Sequence, residues 1–202
     1  MRVLTMVAAA LAANLGYAQY AHGQDHATHD HSQEQLADED VAEFVVEPHR
    51  VLVQVRGIVC SFCAWGAEKS LAQLDGLDRT AFGNGVLVNI HTHRITIAMG
   101  PGNQIPIHEI YRRIKKAGYD PVIVYARISG TLEAGEESLL LRDTESGQVF
   151  SIMDGNVEDL APGDRVDIQV HVDGHTIPSL SESRPIEVTV DHQFSQAGPN
   201  HE

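Results

Sequence analysis

Basic residues are scarce in this chain: its 202 residues hold 14 Lys and Arg against 28 Asp and Glu, a formal net charge of −14. Neutralising a phosphate backbone takes many cations, so this balance argues against a nucleic-acid partner. Cysteine is scarcer still. Two Cys residues cannot build a disulfide-dense scaffold. Long apolar runs are missing as well; the longest, Val3 to Leu15, falls short of the roughly 20 residues a membrane-spanning helix needs. What remains is an ordinary apolar fraction of 43%, which excludes wholesale disorder and a collagen-like fibre. The length fits one domain or two small ones.

The amino terminus reads as an export signal over residues 1–23. Arg2 supplies a positive start, Val3–Leu15 a short apolar core, and Gly16-Tyr17-Ala18 or Ala21-His22-Gly23 the small residues of a cleavage site. The mature protein is therefore expected to be exported, as into a periplasm, and not embedded in a membrane. Charge then divides the chain. Residues 24–47 hold eight acids and no Lys or Arg, residues 48–126 nine bases and five acids, and residues 127–202 four bases and fifteen acids. The steps near Pro48 and Arg127 mark expected domain boundaries. Residues 24–47 lack apolar periodicity and read as an acidic linker. With His22 just before it, the linker carries His26, His29 and His31, which are either an adaptable imidazole site for a metal or part of a solvated leader.

The middle segment is regular. RVLVQVRG (50–57) alternates Val51, Val53 and Val55 against Leu52, Gln54 and Arg56, the pattern of a half-buried strand. Ala64, Ala67, Leu71 and Leu74 have helical spacing, and Asp75-Gly76 ends that run. GVLVNI (85–90) and RITIAMG (94–100) form a hairpin around His91-Thr92-His93. A second helix starts at Pro106, buries Ile107, Ile110, Ile114 and Ala117, and stops at Gly118. PVIVYARI (121–128) is the last strand. The order βαββαβ is that of a ferredoxin-like α+β domain.

Cys60 and Cys63 lie in the first loop, where it opens a helix. The helix dipole favours thiolate there, and two sulfurs suit Cu(I), Ag(I) or Hg(II), or half of a Zn(II) site. A CxxC pair by itself is ambiguous. GIVCSFC (57–63), VNI with RITIAM in the hairpin, and IKKAGYD (114–120) resemble the heavy-metal-associated domain of copper chaperones, metal-pumping P-type ATPases and periplasmic mercury-binding proteins. The resemblance spans about residues 49–126. It implies that Cys60 and Cys63 are metal ligands, that Tyr119 lies beside the metal loop, and that the ion is sequestered or passed to a membrane transporter or P-type ATPase. One departure is Ile58, where the family usually has Met. The same topology places His91 and His93 at the thiol end, as candidate third ligands or as exposed turn residues, and puts His108 at the opposite end as surface. A redox reading competes: a CxxC in an oxidising compartment can exchange disulfides, although Val59 precedes the pair and Ser61-Phe62 separates it, unlike the usual oxidoreductase pattern.

From Ile128 the chain reads as all-β. SGTLEA, SLLLRD, GQVFSIM, RVDIQVHV and PIEVTV are short strands with turns expected at Gly130, Glu136-Glu137, Ser146-Gly147, Asp154-Gly155 and Pro162-Gly163-Asp164. They suggest a small OB-like barrel over 127–192, with 193–202 as a tail. The net charge of −11 over residues 127–202 and the two aromatics there, Phe150 and Phe194, speak against single-strand binding. His171, Asp173 and His175 form HVDGH, either a polar turn or a weak metal site. No nucleophile elbow, phosphate loop or HExxH helix is present. The chain is thus expected to be an exported soft-metal-binding protein rather than an enzyme; the alternatives are a thiol–disulfide protein or an adaptor that docks through the acidic barrel.

Overall fold

The computed structural model describes residues 45–180 and 184–194. The expected export signal, His22, His26, His29, His31 and His201 lie outside these residues, whereas the expected tail 193–202 begins inside the last strand, which runs to Phe194. The described chain is mixed α+β, with two α-helices and a closed five-strand barrel.

Strand β1 (Arg50–Arg56) turns Val51, Val53 and Val55 inward, each exposed by 1% or less. The alternation in sequence is thus the alternation of the pleat. β2 (Val86–Asn89) pairs with β3 (Arg94–Ala98), β3 with β1, and β1 with β4 (Asp120–Ala134), all antiparallel. The order β2-β3-β1-β4 leaves β2 at the outer edge. Helix α1 (Ser61–Leu71) and helix α2 (Ile107–Lys116) bury Ala67, Leu71, Ile107, Ile110 and Ile114 in the same core as the β1 valines. Each fully buried Ile or Leu contributes about 1.5–3 kcal/mol. Arg113 ties the helices together, its guanidinium donating to Ser70 O at 2.9 Å and Gln73 O at 3.4 Å. α1 begins three residues before its apolar spacing does, because Cys60 caps it. Pro106 occupies the capping position of α2 rather than its first turn.

The larger difference is in β4. The expected strands 121–128 and 129–134 are one strand of 15 residues. One edge pairs with β1 from Asp120 to Ala126 and then with β5 (Leu139–Asp143) from Gly130 to Ala134. The other edge pairs with β7 (Arg165–Asp173) from Ile123 to Thr131. With β6 (Val149–Gly155) and β8 (Ile186–Phe194), the order β4-β5-β6-β8-β7 closes through the β4–β7 ladder; β6 and β8 run parallel. Gly130 is not the expected turn. A Cβ there would meet Arg142 O at 2.3 Å, so the glycine admits the β5 backbone where β4 changes partner.

Polar contacts reinforce the joined sheet. Gln148, before β6, accepts from Ile105 N at 2.7 Å and donates to Ile105 O at 3.0 Å. Arg127 makes a two-pronged contact with Asp167 and stacks 3.7 Å from the Phe194 centroid. The buried Gln169 side chain accepts from Val46 N at 2.8 Å. His108, expected at the surface, is half-buried where α2 begins beside Val149 and Ile186.

Gly130→Ala forces a methyl into the Arg142 carbonyl, and overpacking of this kind costs about 1–3 kcal/mol. Urea unfolding followed by circular dichroism should show that loss. An unchanged midpoint would mean that β5 yields without cost.

Candidate metal centre

Cys60 is the N-cap of α1. Its backbone is extended (φ −146°, ψ 157°), and its Sγ accepts from Cys63 N at 3.2 Å. Ala64 N donates to Cys60 O at 2.9 Å, so the first turn is closed around the pair. Sulfur here does what Ser or Asp does at most helix starts, satisfying a donor that the helix cannot. The Cα atoms are 5.1 Å apart and the sulfurs are joined as a disulfide. Cys60 is exposed, and Cys63 is half-buried against the core. Ile58 anchors the loop; it is fully buried, filling the position where the resembling family has Met. Gly57 has φ 97°, a region that side chains avoid, and the Tyr119 ring edge is 3.5 Å from where its Cβ would stand. The Tyr119 hydroxyl donates to Cys63 O at 2.9 Å. Tyr119 therefore braces the loop that holds both thiols.

Strand pairing gathers a rim at this end. Val55 N donates to His93 O at 2.9 Å, which sets the His91-Thr92-His93 turn beside the end of β1. Arg56 pairs with Asp120 on β4. The end of β7 also arrives here: Ile123 pairs with Asp173, and Gly174 N donates to Val122 O at 2.7 Å. His175 and Asp173 thus join the thiol end from the barrel side, a placement that sequence patterning missed because it depends on the long-range β4–β7 ladder. Lys115 and Asp120 form an ion pair at 2.9 Å. That hydrogen bond lowers the Asp120 carboxyl below its usual range, helped by the His175 and Arg56 charges, and raises Lys115. Among the described residues, no three His, Cys, Asp or Glu side chains converge as a metal-holding group. His91 and His93 share the end with the sulfurs.

HVDGH does not form a cluster. Asp173 Oδ1 accepts from His175 N at 2.8 Å, closing a turn, while His171 turns to Asp191 with Nδ1···Oδ1 at 2.5 Å. Asp191 is the extra residue of a β-bulge: Gln169 pairs with His192 and Val170 with Val190. The bulge re-aims its carboxylate. No local motif announces that pair, because the partners lie on different strands. The His171 ring centroid is 5.8 Å from that of Tyr125, which is 6% exposed.

No family model matches the chain, and no curated protein does. Among solved structures, a CopZ metallochaperone is similar with a TM-score of 0.31 and 20% identity, over 36% of this chain and 98% of that one.

Hydrogen bonding to Asp191 raises the His171 pKa above its ordinary 6.5, with the Asp191 and Asp173 charges adding and burial opposing. A raised folded-state pKa gives stability that is complete below about pH 6.5 and lost as pH rises through the folded value. Urea midpoints from about pH 5 to about pH 9 should therefore fall on the alkaline side, and Asp191→Asn should flatten that part of the profile. An identical profile in the variant would contradict this assignment.

Proposed function

We propose that this protein is an exported soft-metal-binding protein in which Cys60 and Cys63, once reduced, hold one ion between two thiolates. The observation that carries the reading is the placement of both sulfurs on one exposed helix start. Two effects there favour thiolate: the α1 dipole, and the Cys63 N–H that donates to Cys60 Sγ. A two-sulfur set suits low-coordinate Cu(I) or Hg(II), and supplies only half of a tetrahedral Zn(II) site. The β2-β3-β1-β4 order with two packed helices supports reading this part as the ferredoxin-like, heavy-metal-associated fold implied by the sequence resemblance. The closed order β4-β5-β6-β8-β7 supports an OB-like barrel beside it. Exposure of Cys60 lets incoming thiolates replace the two ligands one at a time, as transfer to a membrane transporter or P-type ATPase requires. Sequestration uses the same site. No chemical transformation is assigned, and the reading is of a binding protein.

The Cys60–Cys63 disulfide favours a second reading, thiol–disulfide exchange with a partner dithiol. In that reaction the pair gains two electrons and two protons while the partner is oxidised. The same bond bears on metal binding, since a bridged pair offers no thiolate and must first be reduced.

Anaerobic titration of the reduced protein with Cu(I), Hg(II) and Zn(II) separates the readings. Tight binding of Cu(I) or Hg(II), weaker binding of Zn(II), and loss of all three in Cys60→Ser/Cys63→Ser are expected. His91→Ala and His93→Ala should leave the Cu(I) affinity unchanged if two sulfurs suffice. Absence of tight binding, with a reduction potential between about −270 and −120 mV, would replace metal carriage with redox exchange.

A further inference from the structure

Around the Cys pair, large apolar side chains face outward. Phe62 is 79% exposed, Val59 76% and Trp65 54%, the first two being the most exposed large apolar residues described. Nothing in the core explains them, and Phe62 and Trp65 lie together with ring centroids 6.0 Å apart. One helical turn behind this tip the surface becomes basic. Lys69 Nζ lies 5.0 Å over the Trp65 ring, and the groove between α1 and α2 carries Lys116 beside it, with Arg112 ion-paired to Glu109. Arg113 is committed to the carbonyls of Ser70 and Gln73 and to Glu109, so it serves structure. The charge of this end contrasts with the rest of the chain, whose residues 127–202 hold four bases and fifteen acids.

We propose that this end is a peripheral docking surface for an anionic lipid bilayer. Val59, Phe62 and Trp65 enter the boundary between headgroups and acyl chains, and Lys69 and Lys116 meet lipid phosphates. Aromatic and aliphatic side chains that project from a helix start into solvent form a wedge, which a fluid bilayer admits without a preformed pocket. Indole above a lysine is the amphipathic pairing that the interface favours. Three apolar side chains and two cations make a weak, reversible and salt-sensitive contact, unlike a spanning helix. Among the described residues no helix is long and apolar enough to cross a membrane. The proposal stands apart from the thiol chemistry, since it uses neither sulfur.

Trp65 is the sole Trp in the chain, so its emission reports this end alone; apolar residues 3–15 contain no Trp and cannot imitate the signal. The full chain is mixed with vesicles of phosphatidylcholine, or of phosphatidylcholine with phosphatidylglycerol. Expected with the anionic vesicles are a blue shift of Trp65, quenching by brominated acyl chains, and reversal by high salt. Phe62→Ser and Lys69→Glu/Lys116→Glu, all at exposed positions, should each weaken vesicle binding about tenfold or more. Unshifted Trp65 emission with anionic vesicles overturns the proposal, even where the protein sediments with them. An equal shift on neutral vesicles overturns the role given to the cations. A shift with polyglutamate but not with vesicles would identify the patch as a site for an acidic protein.

Discussion

The two-edged ladder of β4 is the constraint on which the rest of the molecule depends. A buried strand must satisfy its N–H and C=O groups along both edges, and β4 does so with three partners: β1 and then β5 on one side, β7 on the other. Through that ladder the helix-covered sheet and the barrel become one sheet with a continuous core running from Val53 to Phe150. Rotation of one part against the other would break backbone hydrogen bonds. A linker between two domains would impose no such cost. The charge step at Arg127 therefore falls inside a strand, where Asp167 and the Phe194 ring hold the first residue of the acidic stretch.

The same strand organises the thiol end. Tyr119, one residue before β4, holds the loop through Cys63 O, and Asp120 opens the pairing with Arg56. The barrel reaches this end because β7 runs antiparallel to β4 and finishes opposite Ile123. Strand pairing determines what surrounds the sulfurs, while the helix start sets their spacing.

Local pattern made much of this legible. The alternation of Val51, Val53 and Val55, the helical spacing of Ile107, Ile110 and Ile114, and the hairpin about His91-Thr92-His93 each depend on near neighbours in sequence, and each is present. Cys60 and Cys63 could be placed at a helix start for the same reason. Gly130 could not be read correctly, because a glycine that turns the chain and one that admits a neighbouring backbone look alike until the neighbour is known. The His171–Asp191 pair was hidden by a register shift of one residue between distant strands. The arrival of His175 at the thiol end was hidden by barrel closure. What depended on the β4–β7 and β7–β8 pairings was invisible in sequence.

An open sheet has two free edges, each a template for another chain. Here the β4–β7 ladder turns one end of the strand order back on itself, so among the described strands β2 alone terminates it, four residues long. Two copies meeting along β2 would satisfy both edges and leave nothing for a third to extend. Among the described strands, growth by strand addition is therefore capped at a pair.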